Sequence, residues 1–417
     1  MRPRILATAS VGRPQFIAGG LLLLYLLQCA WLVHVHTLHG ALPDSDHALR
    51  AYLGLQQWRG GAIAGTPDSL RAENATELPS AARGGHLRVL HGYDRDRSPL
   101  YYLTSGAPLL VAPAALPAGS TLGQLWAAAP GFFFGVMLGG SLWYVARRLY
   151  GNGGGYVALA LYCFSPSMIV NTAGAPSQGE MGAVWGAFGL VFTAIAVAHT
   201  LYAPREVVLW NWRRILLLGL SMLLAVGNQF SFAILILVAL ALMFWVAPIR
   251  MRAALTIWMT ALLFAALLLF AAYFGDSGLL HGGLRHAAWV NFERDAFRMP
   301  FSWSQAARTL GGGAPPLLVL FPAALLAWTG WKRARYFGNT APLLITVLLV
   351  ALTIAAADFP GQGFYLVTTI FAFVFVAGVS ADLMESRWGA FATPAIAGLL
   401  SASALWNVVR VARAALQ

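Results

Sequence analysis

Long apolar runs separated by short polar segments dominate this chain. A helix needs about 20 mostly apolar residues to cross a bilayer, and eleven runs approach that length. They are predicted at 15–36, 122–146, 155–173, 181–202, 214–227, 230–248, 254–274, 314–330, 341–357, 364–380 and 390–409. We therefore expect an all-α polytopic membrane protein with about 11 transmembrane helices, in a single domain over residues 1–417.

The fifth and sixth runs are short and meet at the polar sequence Gly227-Asn228-Gln229-Phe230. Lipid does not tolerate unsatisfied backbone groups, so this break is predicted to line a cavity inside the protein. Asn228 and Gln229 are expected either to satisfy the broken backbone or to contact a head group.

Composition excludes a soluble enzyme. Hydrophobic residues make up 59% of the chain, charged residues only 10%, and the mean hydropathy is +0.68. A soluble globular domain carries about 25% charged residues, which this chain lacks. Cys29 and Cys163 both lie inside apolar runs, so no disulfide framework is expected.

The net charge of +12 is explained by the way the chain is oriented in the membrane, so it does not indicate a nucleic-acid partner. Basic residues are concentrated in the N-terminus and in alternate loops between the predicted spans. The basic excess marks these segments as cytoplasmic, which places the N-terminus inside. Most acidic residues then face outward. Arginine accounts for all but one of the 27 basic residues, a bias that suggests a bacterial inner membrane with an outward-facing, periplasmic site.

Two predicted outer loops, 37–121 and 275–313, are long enough to hold a site. Loops of this length inside a compact domain are usually functional. Within the first, the apolar segment Pro99–Leu116 is short and interrupted by proline, so it is predicted as a re-entrant or interfacial helix.

The first candidate site residues follow the first span at Asp44, Asp46 and His47. A loosely amphipathic helix is predicted after them, ending at Gly60-Gly61. One interpretation is that Asp44 or Ser45 caps this helix and Asp46 complements its dipole. The other is that one carboxylate is a base held at the membrane face.

A second group precedes the interfacial helix: Arg95, Asp96 and Arg97, with Tyr101 and Tyr102 just after. Alternating charges usually form a solvated, self-paired loop. Next to an apolar helix at the interface, however, an arginine can bind a lipid phosphate through two parallel hydrogen bonds. Arg97 is favoured over Arg95 because it adjoins the helix.

Glu180 is the only charged residue between Arg148 and Arg205, and it lies at the outer end of the fourth span. An ionisable group there is a functional candidate, although a glutamate can also simply complement the helix dipole. No two histidines and a carboxylate stand at ligand spacing on one helix, so a metal site is the less favoured interpretation and no cofactor is expected.

The order of these features resembles the GT-C membrane glycosyltransferases, in the branch of dolichyl-phosphate-mannose protein mannosyltransferases and aminoarabinose lipid A transferases. The matching elements are Asp46-His47 through Gly60-Gly61, Arg97-Ser98-Pro99-Leu100-Tyr101-Tyr102, Ala146-Arg147-Arg148-Leu149-Tyr150-Gly151, Ser165-Pro166, Glu180 and Phe364-Tyr365. The similarity spans roughly residues 15 to 380. The chain departs from the family pattern at His47 for a second acid, Arg97 for lysine, Ser98 for proline and Glu180 for aspartate.

This resemblance implies an inverting transfer of a sugar from a polyprenyl-phosphate donor to an acceptor protein, lipid or polysaccharide outside the membrane. Asp46, or Asp44, would be the base and Arg97 would neutralise the departing phosphate. Tyr101 and Tyr102 would pack the isoprenoid or position the head group. Glu180 would orient the acceptor or hold Arg97. Arg95, Asp96, His47 and Tyr365 are secondary candidates.

Two alternatives stay open. A lipid or glycolipid transporter is predicted to have charges near mid-membrane and broken helices in two matching halves. A non-catalytic component of a glycan-assembly complex would need the fold but neither Asp46 nor Arg97.

Overall fold

The computed structural model describes residues 12–38, 50–58 without 52 and 56, 96–112, 120–173, 180–203, 212–290, 314–331, 339–355 and 362–414. All regular structure in these ranges is helical. Six helices within them are long and apolar enough to cross a membrane: Arg13–Leu38, Thr121–Cys163, Met181–Thr200, Pro248–Ala272, Phe364–Met384 and Gly389–Arg410. Shorter apolar helices add to these, so the chain is an all-helical integral membrane protein.

The first helix, α1, spans Arg13–Leu38, and the next described helix with full bounds, α2, spans Pro99–Gly106. A 3₁₀ turn at Ala107–Leu110 extends α2. The two pieces of eight and four residues are too short to cross a bilayer, which is the length expected of an interfacial helix. The described residues of the 50–58 segment are also helical.

Two of the predicted spans follow each other directly, with a kink between them at Gly151. Helix α3 covers Thr121–Cys163 and passes through the predicted loop between 146 and 155. Its helical geometry breaks at Gly151, where φ is 77° and ψ is −173°, a conformation open to glycine because it has no Cβ. The predicted span 155–173 is itself divided, because α4 begins anew at Pro166 and covers Pro166–Thr172.

The polar break lies where the sequence predicts it. Helix α5 spans Met181–Thr200, α6 spans Trp212–Asn228 and α7 spans Ala233–Val246. Gln229 is extended between α6 and a 3₁₀ turn that leads into α7.

The remaining helices are α8 at Met251–Ala272, α9 at Ser277–His286, α10 at Leu317–Trp331, α11 at Ala341–Ala355, α12 at Gln362–Met384 and α13 at Gly389–Ala414. Helix α12 is the centre of the core, and Phe371, Phe373 and Phe375 are fully buried. Helix α13 is peripheral. Asn407 ties it to α1 by donating a 3.0 Å hydrogen bond to Gln28.

One end of the bundle, here called the site end, brings together several helix termini. The Thr121 hydroxyl at the start of α3 is 3.4 Å from His34 near the end of α1. The residues before α2 contact both Glu180, before α5, and the break between α6 and α7. The sequence predicts this end to face outward.

Candidate functional site

Four predicted site residues, Asp44, Asp46, His47 and Arg95, lie outside the described residues. Their roles therefore stay predictions. Asp96, Arg97, Tyr101, Tyr102, Glu180 and Tyr365 are described, and the first five lie at the site end of the bundle around one cation.

That cation is Arg97, whose side chain is only 7% exposed. Its Nη2 lies 2.9 Å from Oε1 of Glu180, and its Nε lies 3.7 Å from Oδ2 of Asp96. The guanidinium carbon is 4.5 Å from the centre of the Tyr101 ring. Arg97 is thus buried between a carboxylate and an aromatic face, an arrangement that favours a planar guanidinium over an ammonium.

Glu180 immediately precedes α5, in the position of an N-cap. Its side chain accepts no hydrogen bond from the backbone of α5 and is instead paired with Arg97. The pair brings together residues that are 83 positions apart in the chain. Of the two roles predicted for Glu180, holding Arg97 is therefore the one with a direct contact in the structure.

The backbone on both sides of Arg97 is fixed by the polar break between α6 and α7. The Phe230 N–H donates to the Asp96 carbonyl at 2.8 Å, and the Ser98 N–H donates to the Gly227 carbonyl at 3.1 Å. The Ser98 hydroxyl donates to the same Gly227 carbonyl at 2.6 Å. Backbone groups freed where α6 ends are therefore satisfied by the segment that carries Arg97, as burial requires.

Ser98 also begins α2. Its hydroxyl accepts the Leu100 N–H at 3.2 Å, and Pro99 occupies the first helical position, where no N–H is needed. The sequence predicted both the polar break and the importance of Arg97. It did not predict that the residues on either side of Arg97 bind to the backbone of the break. The Ser-Pro cap and the polar break were the available signals, but neither specifies its long-range partner.

The two tyrosines take different positions. The Tyr101 ring lies under Arg97, whereas Tyr102 is fully buried and packs edge-on against Tyr101 with ring centres 5.1 Å apart. A Cβ on Gly54 would overlap the Tyr102 carbonyl, so the 50–58 segment packs directly on α2. The Trp58 indole reinforces this contact by donating to the Leu103 carbonyl at 2.7 Å.

Tyr365 lies in the first turn of α12 and is half-buried. The neighbouring Phe364 ring packs against Phe232, with ring centres 5.3 Å apart, so this part of α12 contacts the 3₁₀ turn of the polar break. No described contact joins Tyr365 to Arg97.

A small polar pocket opens beside Glu180. Its lining includes Tyr101, Ser105, Phe134, Asn171, Glu180 and Asn228. About 20 Å³ is open to the centres of water molecules, room for one or two of them. The lining residues come from helices α2, α3, α4, α5 and α6 and from Glu180, which precedes α5. Asn228 is contributed by the polar break.

Burial raises the pKa of the Tyr101 phenol above its ordinary value, and the Glu180 carboxylate adds to the increase. Arg97, Arg50 and the Ser105 hydroxyl act in the opposite direction. The net shift is upward, so the phenol stays protonated and can donate a hydrogen bond. Because Arg50 is close enough to affect Tyr101, the 50–58 segment brings a second cation toward the site.

Within the described ranges, no three His, Cys, Asp or Glu side chains cluster in a way that could hold a metal ion. Comparison with protein-family models, with curated proteins and with solved structures finds no match to this chain.

Proposed function

We propose that this protein is an inverting glycosyltransferase that moves a sugar from a polyprenyl-phosphate donor to an acceptor on the outer face of the membrane. The observation that carries this proposal is Arg97. It is a buried arginine at the end of a membrane bundle, paired with Glu180, stacked on Tyr101 and fixed by the polar break. A guanidinium at a helix end beside the membrane surface can exchange its carboxylate partner for the phosphate of a membrane lipid, which it binds through two parallel hydrogen bonds.

The charge distribution supports the proposed orientation. At the end opposite to the site, described arginines outnumber described acids; they include Arg147, Arg148, Arg213, Arg214, Arg250 and Arg252. That excess is typical of a cytoplasmic face and supports an outward orientation of the end that carries Arg97.

In the proposed reaction, Arg97 binds the donor phosphate at the membrane surface. The acceptor oxygen attacks the anomeric carbon of the sugar while the bond from that carbon to the phosphate oxygen breaks. The acceptor proton passes to Asp46, and polyprenyl phosphate leaves with the bonding electron pair. Since phosphate is already a good leaving group, one base suffices and no general acid is required. Arg97 stabilises the charge that develops on the departing phosphate.

The position of the ion pair also bears on the transporter alternative. A transporter of this class typically places its charged site near mid-membrane. Here Arg97 and Glu180 both lie at helix ends, next to an interfacial helix. This placement favours chemistry at the membrane surface over passage through the bundle.

The test uses the purified full chain in vesicles, with a total lipid extract of the native membrane as the source of donor and the cell-envelope fraction as the source of acceptor. Mass spectrometry measures free polyprenyl phosphate released over time. Arg97→Ala is expected to reduce release about 100-fold to 1,000-fold, the cost of removing one donor to developing charge. Asp46→Asn is expected to cost about 100-fold or more, as for a general base.

Arg252→Ala is the matched control, because Arg252 is exposed and belongs to the opposite end. Release unaffected by both site variants would contradict the transferase. Lipid translocation across the vesicle without release of polyprenyl phosphate would instead indicate a transporter.

A further inference from the structure

The mechanism above leaves the pocket beside Glu180 unused. Its lining includes Tyr101 and Glu180, which both contact Arg97, together with Phe134 and Asn171. Building on the proposed function, we infer that this pocket receives a hydroxyl-bearing group of the donor sugar, and that the donor sugar carries no acidic group.

The hydrogen-bonding groups of the pocket carry this inference. The Tyr101 side chain is buried with 3% exposure, and its hydroxyl makes no hydrogen bond of standard geometry with the described residues, although Ser105 lies close. A buried hydroxyl without a partner is costly and needs an explanation. A ligand hydroxyl in the pocket provides one.

The other polar groups are mainly acceptors. The Asn228 amide donates one of its two N–H groups to the Leu224 carbonyl at 2.8 Å, and its amide oxygen is an acceptor. Glu180 uses one carboxylate oxygen for Arg97 and has a second. Acceptors match the hydroxyl groups of a sugar, whereas a carboxylate placed beside Glu180 would be repelled.

The volume of the pocket limits how large a chemical group can bind inside it. Space for one or two water molecules fits a single hydroxyl or hydroxymethyl group but not a whole sugar ring. The ring would therefore stay at the mouth. A phosphate on Arg97 carries both the sugar and the isoprenoid through single ester links. Since polar side chains of Ser105, Glu180 and Asn228 line the pocket, a sugar hydroxyl suits it and the hydrocarbon chain does not.

The experiment measures binding of defined lipids to the purified full chain by native mass spectrometry. The probes are bare polyprenyl phosphate and polyprenyl phosphates that carry glucose, mannose, galactose or glucuronic acid. The test variant is Tyr101→Phe, which keeps the ring under Arg97 and removes only the hydroxyl. Because the ring keeps its packing and only the contact with Ser105 is lost, the variant should stay folded, which thermal unfolding checks.

Tyr101→Phe is expected to weaken binding of the preferred neutral sugar-lipid about threefold to tenfold, the range that one hydrogen bond supplies, and to leave bare polyprenyl phosphate unchanged. The wild type is expected to bind that lipid at least about tenfold more tightly than the glucuronic acid lipid, because of the charge beside Glu180. Tyr273→Phe, another buried tyrosine outside the pocket, is the control.

Equal effects of Tyr101→Phe on sugar-bearing and bare lipids would overturn the sugar pocket, and so would tight binding of the glucuronic acid lipid. An unchanged affinity for every lipid would show that the pocket holds only water. If bare polyprenyl phosphate does not bind the wild type, or binds Arg97→Ala as tightly as the wild type, the proposed function is wrong. The sugar pocket, which depends on a phosphate at Arg97, is then wrong as well.

Discussion

Replacing Glu180 with glutamine removes the anion that now pairs with Arg97 while keeping the size of the side chain. The two side chains are 7% and 12% exposed and their charged atoms are 2.9 Å apart, so water screens the pair weakly. If a donor phosphate binds Arg97, it must compete with Glu180. The variant should therefore bind polyprenyl phosphate more tightly than the wild type, although a substitution inside a site usually weakens binding.

The expected size of this gain follows from the pair that the wild type gives up. A hydrogen bond to a charged group is worth about 1.5–3 kcal/mol. At about 1.4 kcal/mol for each factor of ten, this corresponds to roughly a tenfold to hundredfold decrease in the Kd for polyprenyl phosphate. Without lipid the variant should be less stable by about 3–5 kcal/mol, because a buried cation has lost its partner, and added lipid should restore part of the loss.

Lipid titration followed by native mass spectrometry measures the Kd, and thermal unfolding in detergent with and without the lipid measures the stability. Glu385→Gln is the matched control, since Glu385 is exposed near the opposite end of the bundle. A Kd for Glu180→Gln that equals or exceeds the wild-type value would show that the phosphate does not compete with Glu180 and so does not bind at Arg97.

Three further substitutions test how the site and the bundle are held together. Ser98→Ala removes a buried hydrogen bond worth about 1 kcal/mol and should lower transfer roughly fivefold by loosening Arg97, with recovery in Ser98→Thr, as measured by polyprenyl phosphate release. Gly54→Ala should lower the unfolding temperature, because its Cβ would overlap the backbone of α2, whereas Gly19→Ala meets nothing within 4 Å and should not. Asn407→Leu removes the hydrogen bond to Gln28 and should cost about 0.6–1.7 kcal/mol of stability, measured by unfolding in detergent, with no change in lipid affinity.

Local patterns in the sequence predicted the parts of the site that depend on local physics. A polar Gly-Asn-Gln-Phe segment inside an apolar run can only be a break, and α6 does end at Asn228. Arg97 was favoured because it adjoins the interfacial helix, and it is indeed buried at the start of α2. The all-helical membrane architecture followed from apolar length alone.

Features that depend on long-range contacts were not predictable from a single sequence. The pairing of Ser98 with Gly227 joins backbone groups 129 residues apart, and no local pattern specifies that partner. The same holds for the contact between Arg97 and Glu180. The kink at Gly151 lies inside the loop that the sequence predicts between the spans 122–146 and 155–173. The helical geometry reaches closer to this residue from both sides than a glycine-rich stretch with no apolar residues predicts.

Sugar transfer in the cell is measured by mass spectrometry of cell-envelope glycans and polyprenyl-phosphate sugars in four strains: the wild type, a deletion of this gene, and deletions complemented with Arg97→Ala or Asp46→Asn. If this protein is the proposed transferase, the deletion strain loses one sugar from an acceptor and accumulates the matching polyprenyl-phosphate sugar, and neither variant restores the wild-type profile. Full restoration by both variants, in strains where they reach wild-type amounts in the membrane, would contradict the proposal.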